Sequence, residues 1–166
     1  MWLLALLALS SCVAVPPPQT PVLMAVVSKG LPGVTLFDAA TDRQICQAKM
    51  DVAPHEAAFT RDERLLIVPI YSSANLGQPG PDGHAINFMR TGDCGIEHVL
   101  DTGPIKRPHF AQTGASGLVY VTAEQDQSIL VIDVAKRAIV GQLPTGSRNT
   151  HFFALSRDEK RIFTSN

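Results

Sequence analysis

A segment recurs three times along this chain: residues 55–68 read HEAAFTRDERLLIV, residues 109–122 read HFAQTGASGLVYVT, and residues 151–164 read HFFALSRDEKRIFT. Each copy opens on a histidine, crosses a short polar turn and enters a run of β-branched and aromatic residues suited to a buried strand. Such a repeat constrains the fold more than any single residue, because each unit is one supersecondary block whose apolar faces need neighbours to cover them. The pattern predicts strands near 22–28, 33–38 and 44–52, then 56–60, 65–71, 85–89 and 96–101. A third set falls near 109–113, 118–123, 128–134 and 138–143, and a last pair near 152–156 and 161–166. Beyond the N-terminus no stretch keeps a helical period.

The spacing selects among all-β architectures. His151 follows His109 by 42 residues, the length of a four-stranded propeller blade. His109 follows His55 by 54, and the excess gathers in the loop SSANLGQPGPDGHA at 72–85. A second register agrees: VTLFDAATDRQI at 34–45 matches LVIDVAKRAIV at 130–140, with Asp38 and Asp133 closing the third strand of their blades. A chain of 166 residues with 12 Gly and 12 Pro suits such a turn-rich domain. Net charge is −1 and no Lys/Arg stripe is present, which excludes a nucleic-acid partner.

The segment VYVTAEQDQSILVIDVAKRAIVGQLPTG at 119–146, preceded by RPH and followed by HFFALSRDEKRIFTSN, resembles the YVTN-type β-propeller repeat of the YncE-like proteins. The resemblance runs over residues 22–166. It departs from the family at Arg61-Asp62-Glu63 and Arg157-Asp158-Glu159, where the family has Pro-Asp-Gly, and at Gly114-Ala115-Ser116-Gly117, which lacks the Asp. It implies an all-β propeller of four-stranded blades, of the seven-bladed type. About three blades are present over 21–166, so the chain is expected to be the front part of a longer propeller. Related propeller families include lactonases that carry His, Arg and Glu at the channel mouth.

Residues 1–20 form a separate segment. Met1 to Leu9 is almost wholly apolar and too short to span a bilayer, as in the core of an export signal, and a Pro-rich spacer follows. Leu9-Ser10-Ser11-Cys12 resembles a bacterial lipobox and implies a lipid anchor on Cys12; cleavage near Ala14 and simple secretion is the alternative. Either reading makes the protein extracytoplasmic, with any membrane contact through Cys12. Cys46 and Cys94 then remain in an oxidising compartment, where a disulfide is open to them. The repeat sets them on different blades, which favours two separate thiols.

No nucleophile elbow, Walker loop, CxxC pair, HExxH or EF-hand loop occurs, and the Gly-rich stretch 77–83 lacks the Lys and helix of a phosphate loop. Function must instead be sought by topology. The connection into the first strand of a blade and the loop leaving its second strand share one face of the disc. His55, His109 and His151 sit at the first kind of position, with Glu56, Arg107 and Arg148 beside them; Glu124, Asn166 and the loop 72–85 sit at the second. Three readings compete. The histidines hold the turns between blades; or Arg107, Arg148, Glu56 and Glu124 bind a small molecule or protein at the channel mouth; or the histidines ring a metal, for which neighbouring blades are expected to hold them too far apart. No cofactor is implied. A binding scaffold is expected rather than an enzyme, with a lactonase-type hydrolase and a metal-binding propeller as alternatives.

Overall fold

The computed structural model describes residues 20–74 and 79–166; the expected export signal with Cys12, and residues 75–78 of the long loop, lie outside them. The described residues are all-β, with thirteen strands and no helix. β1 (Leu23–Ser28), β2 (Gly33–Asp38) and β3 (Arg43–Lys49) make a three-stranded antiparallel sheet. β4 (Ala58–Phe59), β5 (Leu65–Ser72), β6 (Asp82–Arg90) and β7 (Ile96–Asp101) make a four-stranded one, as do β8 (Pro108–Thr113), β9 (Val119–Ala123), β10 (Ser128–Asp133) and β11 (Ala138–Pro144). β12 (Phe152–Leu155) and β13 (Ile162–Ser165) pair at the end. These are four successive propeller blades, the first and last represented by three and two strands.

Turn chemistry repeats from blade to blade. Between the first two strands, Thr60 and Ser156 hydroxyls bond Asp62 and Asp158 (2.7 Å each) and accept from the amides of Leu65 and Arg161. Such side-chain bonds stand in for backbone ones in a tight turn. Asp38 and Asp133, which end β2 and β10, accept from the amides of Ala40 and Lys136 in the next turn. Beside that turn each third strand carries a register shift against the fourth, at Leu36/Phe37, Phe88/Met89 and Val131/Ile132. The three shifts put the blades in common register: Ala25, Ile67 and Tyr120, which pair with Leu36, Phe88 and Val131, are equivalent.

One strand departs from expectation. β6 begins at Asp82, so the long loop is shorter than 72–85, and Ser72 and His84 belong to the strands. Gly83 makes this extension feasible, since a Cβ there would lie 1.8 Å from the Ile70 carbonyl oxygen. Only glycine tolerates that approach.

Alternation within each strand sends one set of apolar residues to the preceding blade and the other to the following blade. Leu66, Val68 and Ile70 of β5 pack with Val34 and Leu36 of the first blade, whereas Ile67 packs with Val119 and Val121 of the third. Tyr120 and Val131 then meet Phe153 of the fourth. The core is thus a series of sheet-to-sheet seams.

Two of the seams are also pinned at the turn between third and fourth strands. Cys46 and Cys94 form a disulfide with Cα atoms 5.7 Å apart, which corrects the expectation of two separate thiols. Their blades are neighbours, and Cys94 takes the left-handed turn position (φ 58°) that faces β3 of the first blade. Arg137 takes the equivalent position in the third blade (φ 53°) and pairs with Glu97 on β7 of the second. One contact between blades is therefore made covalently in one place and ionically in the next.

The third blade lacks a turn Asp, and the fourth replaces it. The Glu159 carboxylate accepts from the Ser116 amide and hydroxyl (2.6 Å each) and from the Tyr120 hydroxyl (3.1 Å). These bonds, those from Ser116 first, hold its carboxyl below the usual range. Gly114 stands where the other blades have Thr60 and Ser156, and a Cβ there would come within 2.5 Å of Glu159 Oε2. Replacing Glu159 with Gln is expected to speed exchange of the Ser116 amide about tenfold, in line with losing a charge-assisted bond of ~1.5 kcal/mol. Hydrogen exchange read by NMR checks this, and an unchanged rate would remove the clamp from the account.

Candidate functional site

The repeat carries two rows of side chains to one face. The first row is histidine. His55 precedes β4, His109 lies within β8 and His151 precedes β12. Their rings meet in tilted contact: the centroids of His55 and His109 are 4.2 Å apart with planes at 41°, and those of His109 and His151 are 4.2 Å apart at 36°. Neighbouring blades thus bring the three rings into contact. The innermost strands converge toward the axis, where blade spacing is least. Tyr71 meets His55 and His109 edge-on at 5.2 and 4.8 Å, and Phe152 meets His151 edge-on at 4.5 Å.

The second row stands four residues beyond the equivalent positions Ala25, Ile67 and Tyr120, where the second strand of each blade ends. It reads Lys29, Tyr71 and Glu124. Lys29 Nζ lies 5.1 Å from the centre of the Tyr71 ring, and the Arg107 guanidinium lies 5.5 Å from it. Arg107 is buried and donates to Asp82 at 2.6 Å, joining the start of the third blade to β6 of the second. Glu124 is buried, with Oε1 3.4 Å from Nδ1 of the half-exposed His151. Burial, followed by the facing Glu124 carboxylate, pushes the Tyr71 hydroxyl up to about 12.

Burial, aided by neighbouring His55 and His151, brings His109 down to about 3, so it is neutral at physiological pH. His55 is also lowered, by burial first, against the pull of Glu56 3.6 Å away. Neutral rings can meet without mutual repulsion. Among the described residues six buried side-chain atoms have no hydrogen-bond partner: four gather here, both nitrogens of His109, Nδ1 of His55 and Oε2 of Glu124, and the others are His98 Nε2 and Gln112 Oε1. Buried polar atoms are nearly always satisfied, so these stand out.

Of the residues chosen from the sequence, His55, Glu56, Arg107, His109, Glu124 and His151 come together. Arg148 is exposed in the β11–β12 connection. Asn166 bonds Thr150 through its side chain, at the start of the fourth blade. Among the described residues no three His, Cys, Asp or Glu converge as metal ligands. Sequence reasoning missed Lys29, Tyr71 and Asp82. Position in the repeat marks the first two, because they are equivalent to Glu124. Asp82 carried no signal while it was assigned to a loop.

No family model matches the chain, and no curated protein matches it. Among solved structures it is similar to the hydrazine synthase of Kuenenia stuttgartiensis, with a TM-score of 0.65 and 20% identity. The match covers 80% of this chain and 35% of that one, so the chain spans about a third of its neighbour's length. That likeness is one of fold. It agrees with an all-β chain built from propeller blades.

A cleft of about 1000 Å³ opens on the opposite face, between the second and third blades, with Leu65, Leu118 and Val134 in its wall and Arg61 and Arg64 among its lining. Arg90, Arg137 and Arg64 there are each paired with a carboxylate. The cleft holds charges of both signs.

Proposed function

We propose that this protein is an exported propeller of the YVTN type that binds a small polyhydroxylated ligand, or a partner presenting hydroxyls, at the face carrying the histidine row. One observation carries the reading: a buried carboxylate oxygen of Glu124 and the ring nitrogens of His109 lack partners at the same place. A ligand with several donors and acceptors meets the partly exposed His55, Glu56 and His151 at the edge of this cluster. A carboxylate beside neutral imidazoles suits hydroxyl groups, since it accepts and the rings both accept and donate. The Cys46–Cys94 disulfide supports an oxidising compartment, and with it export.

Calorimetric titration of the chain with a panel of sugars and polyols tests this. Binding by at least one member is expected, weakened about tenfold in Glu124→Gln, the change for loss of a charge-assisted hydrogen bond of ~1.4 kcal/mol. No binding at millimolar concentration, or equal binding by the variant, would end the proposal. The same preparation separates the alternatives. Turnover of a sugar lactone that His109→Ala abolishes would favour a hydrolase, and stoichiometric Zn uptake lost with His55→Ala and His151→Ala would favour a metal site.

A further inference from the structure

The second, third and fourth blades carry the same turn between their first two strands, and the third differs at one position. Glu63, Gly117 and Glu159 are equivalent there. Each donates its amide to the carbonyl three residues back, at Thr60, Gly114 and Ser156, and each takes a left-handed φ (56°, 90° and 54°). Glu159 uses this position to reach the preceding blade, where its carboxylate accepts from the Ser116 amide and hydroxyl. Glycine at 117 sends no carboxylate to the second blade, and a Cβ on it would meet nothing within 4 Å. Gly117 stands instead in the wall of the cleft of about 1000 Å³ between these two blades.

The charges in that cleft call for the same group. Each of its carboxylates already faces a cation: Asp62 with Arg64, Asp93 with Arg90, Glu97 with Arg137 and Asp133 with Lys136. Among the described residues Arg61 has no carboxylate partner, and it adjoins Asp62, the equivalent of Ser116 in the second-blade turn. We propose that the cleft binds a small organic acid with an apolar body, whose carboxylate takes the role that Glu159 plays in the next seam and pairs with Arg61. A guanidinium matches a carboxylate in geometry as well as charge. Leu65, Leu118 and Val134 offer the body of such a molecule an apolar surface, and the volume suits a small-molecule site. The cleft opens away from the histidine row, so the inference stands independently of the polyol reading.

Titration of the chain with octanoate and with phenylpropionate, followed through its backbone amide resonances by NMR, tests this. Saturable binding of at least one acid at millimolar concentration is expected, with the largest shifts in the turns holding Arg61 and Gly117. Octanamide, which keeps the tail and lacks the charge, should bind at least about tenfold more weakly, and Arg61→Gln should weaken the acid by about the same factor. Gly117→Glu supplies the carboxylate from the chain itself, as Glu159 does, and should abolish binding. Neither acid binding, equal affinity for the amide, undiminished binding in Arg61→Gln or in Gly117→Glu, or shifts centred on His109 would each overturn the proposal. Circular dichroism of both variants, expected to match the parent, separates lost binding from lost folding, and the exposed Arg61 keeps the test decisive if Gly117→Glu fails to fold.

Discussion

Reducing the Cys46–Cys94 bond, or replacing both cysteines with Ala, is expected to lower the stability of the chain by about 4 kcal/mol. The bond joins residues 48 apart in sequence, and the loop it closes restricts the unfolded chain far more than the folded one. The Ala25 and Val27 faces of the first blade, with Val34 and Leu36, contribute the other part of its attachment to the second. Losing the staple leaves that seam to hold on packing alone. Urea unfolding of oxidised and reduced chain gives the size of the effect, and thermal unfolding is expected to show a fall in Tm of about 10 °C for a domain of this length. Each single substitution should cost as much as the double, because either one abolishes the bond. Equal midpoints with and without a reducing dithiol would show that the seam needs no staple.

Acid is expected to weaken the fold through the histidine row. His109 binds its proton with a pKa of about 3 in the folded chain, against about 6.5 when unfolded. The unfolded state therefore binds more protons between these values. The contribution of neutral His109 is fully present above about pH 6.5 and is lost as pH falls toward 3. At pH 5 the loss is about 2 kcal/mol relative to pH 7.5. His55, lowered in the same direction, adds to it. The groups around His109 are His55, His151, Tyr71 and the Lys29 ammonium, and protonation would set a cation against neighbouring rings and a nearby positive charge. Urea midpoints at pH 7.5 and 5 measure the slope. His109→Phe keeps an aromatic ring in the row and should flatten most of it; an unchanged slope in that variant would place the acid sensitivity elsewhere.

Most strands could be read directly because their signals are local. The β-branched run at 119–123, the Asp133 that ends β10 and the polar turn at 156–161 each lie within a few residues of the partners they serve. Where the signal was ambiguous the reading slipped: residues 82–84 looked like loop, yet Gly83 lets the strand start early and Arg107 anchors Asp82. The site was legible as a face but not as a cluster. Counting positions brought six of seven chosen residues together, whereas Arg148 is exposed in the β11–β12 connection. Tyr71 looked like any core residue at the end of an apolar run.

Sequence by itself determined the blades, since hydrogen bonding within a blade joins consecutive strands through short turns whose residues declare themselves. It also determined which ends of which strands share a face. Tertiary structure alone decided the contacts from one blade to the next: Cys46 with Cys94, Arg107 with Asp82, Glu159 with Ser116, and the histidine row. Those partners stand 25 to 54 residues apart, and no local pattern couples them. What brings them together is the convergence of the inner strands and the packing of one twisted sheet on the next. The threefold repeat marks where each histidine stands, and the spacing of the blades makes them touch.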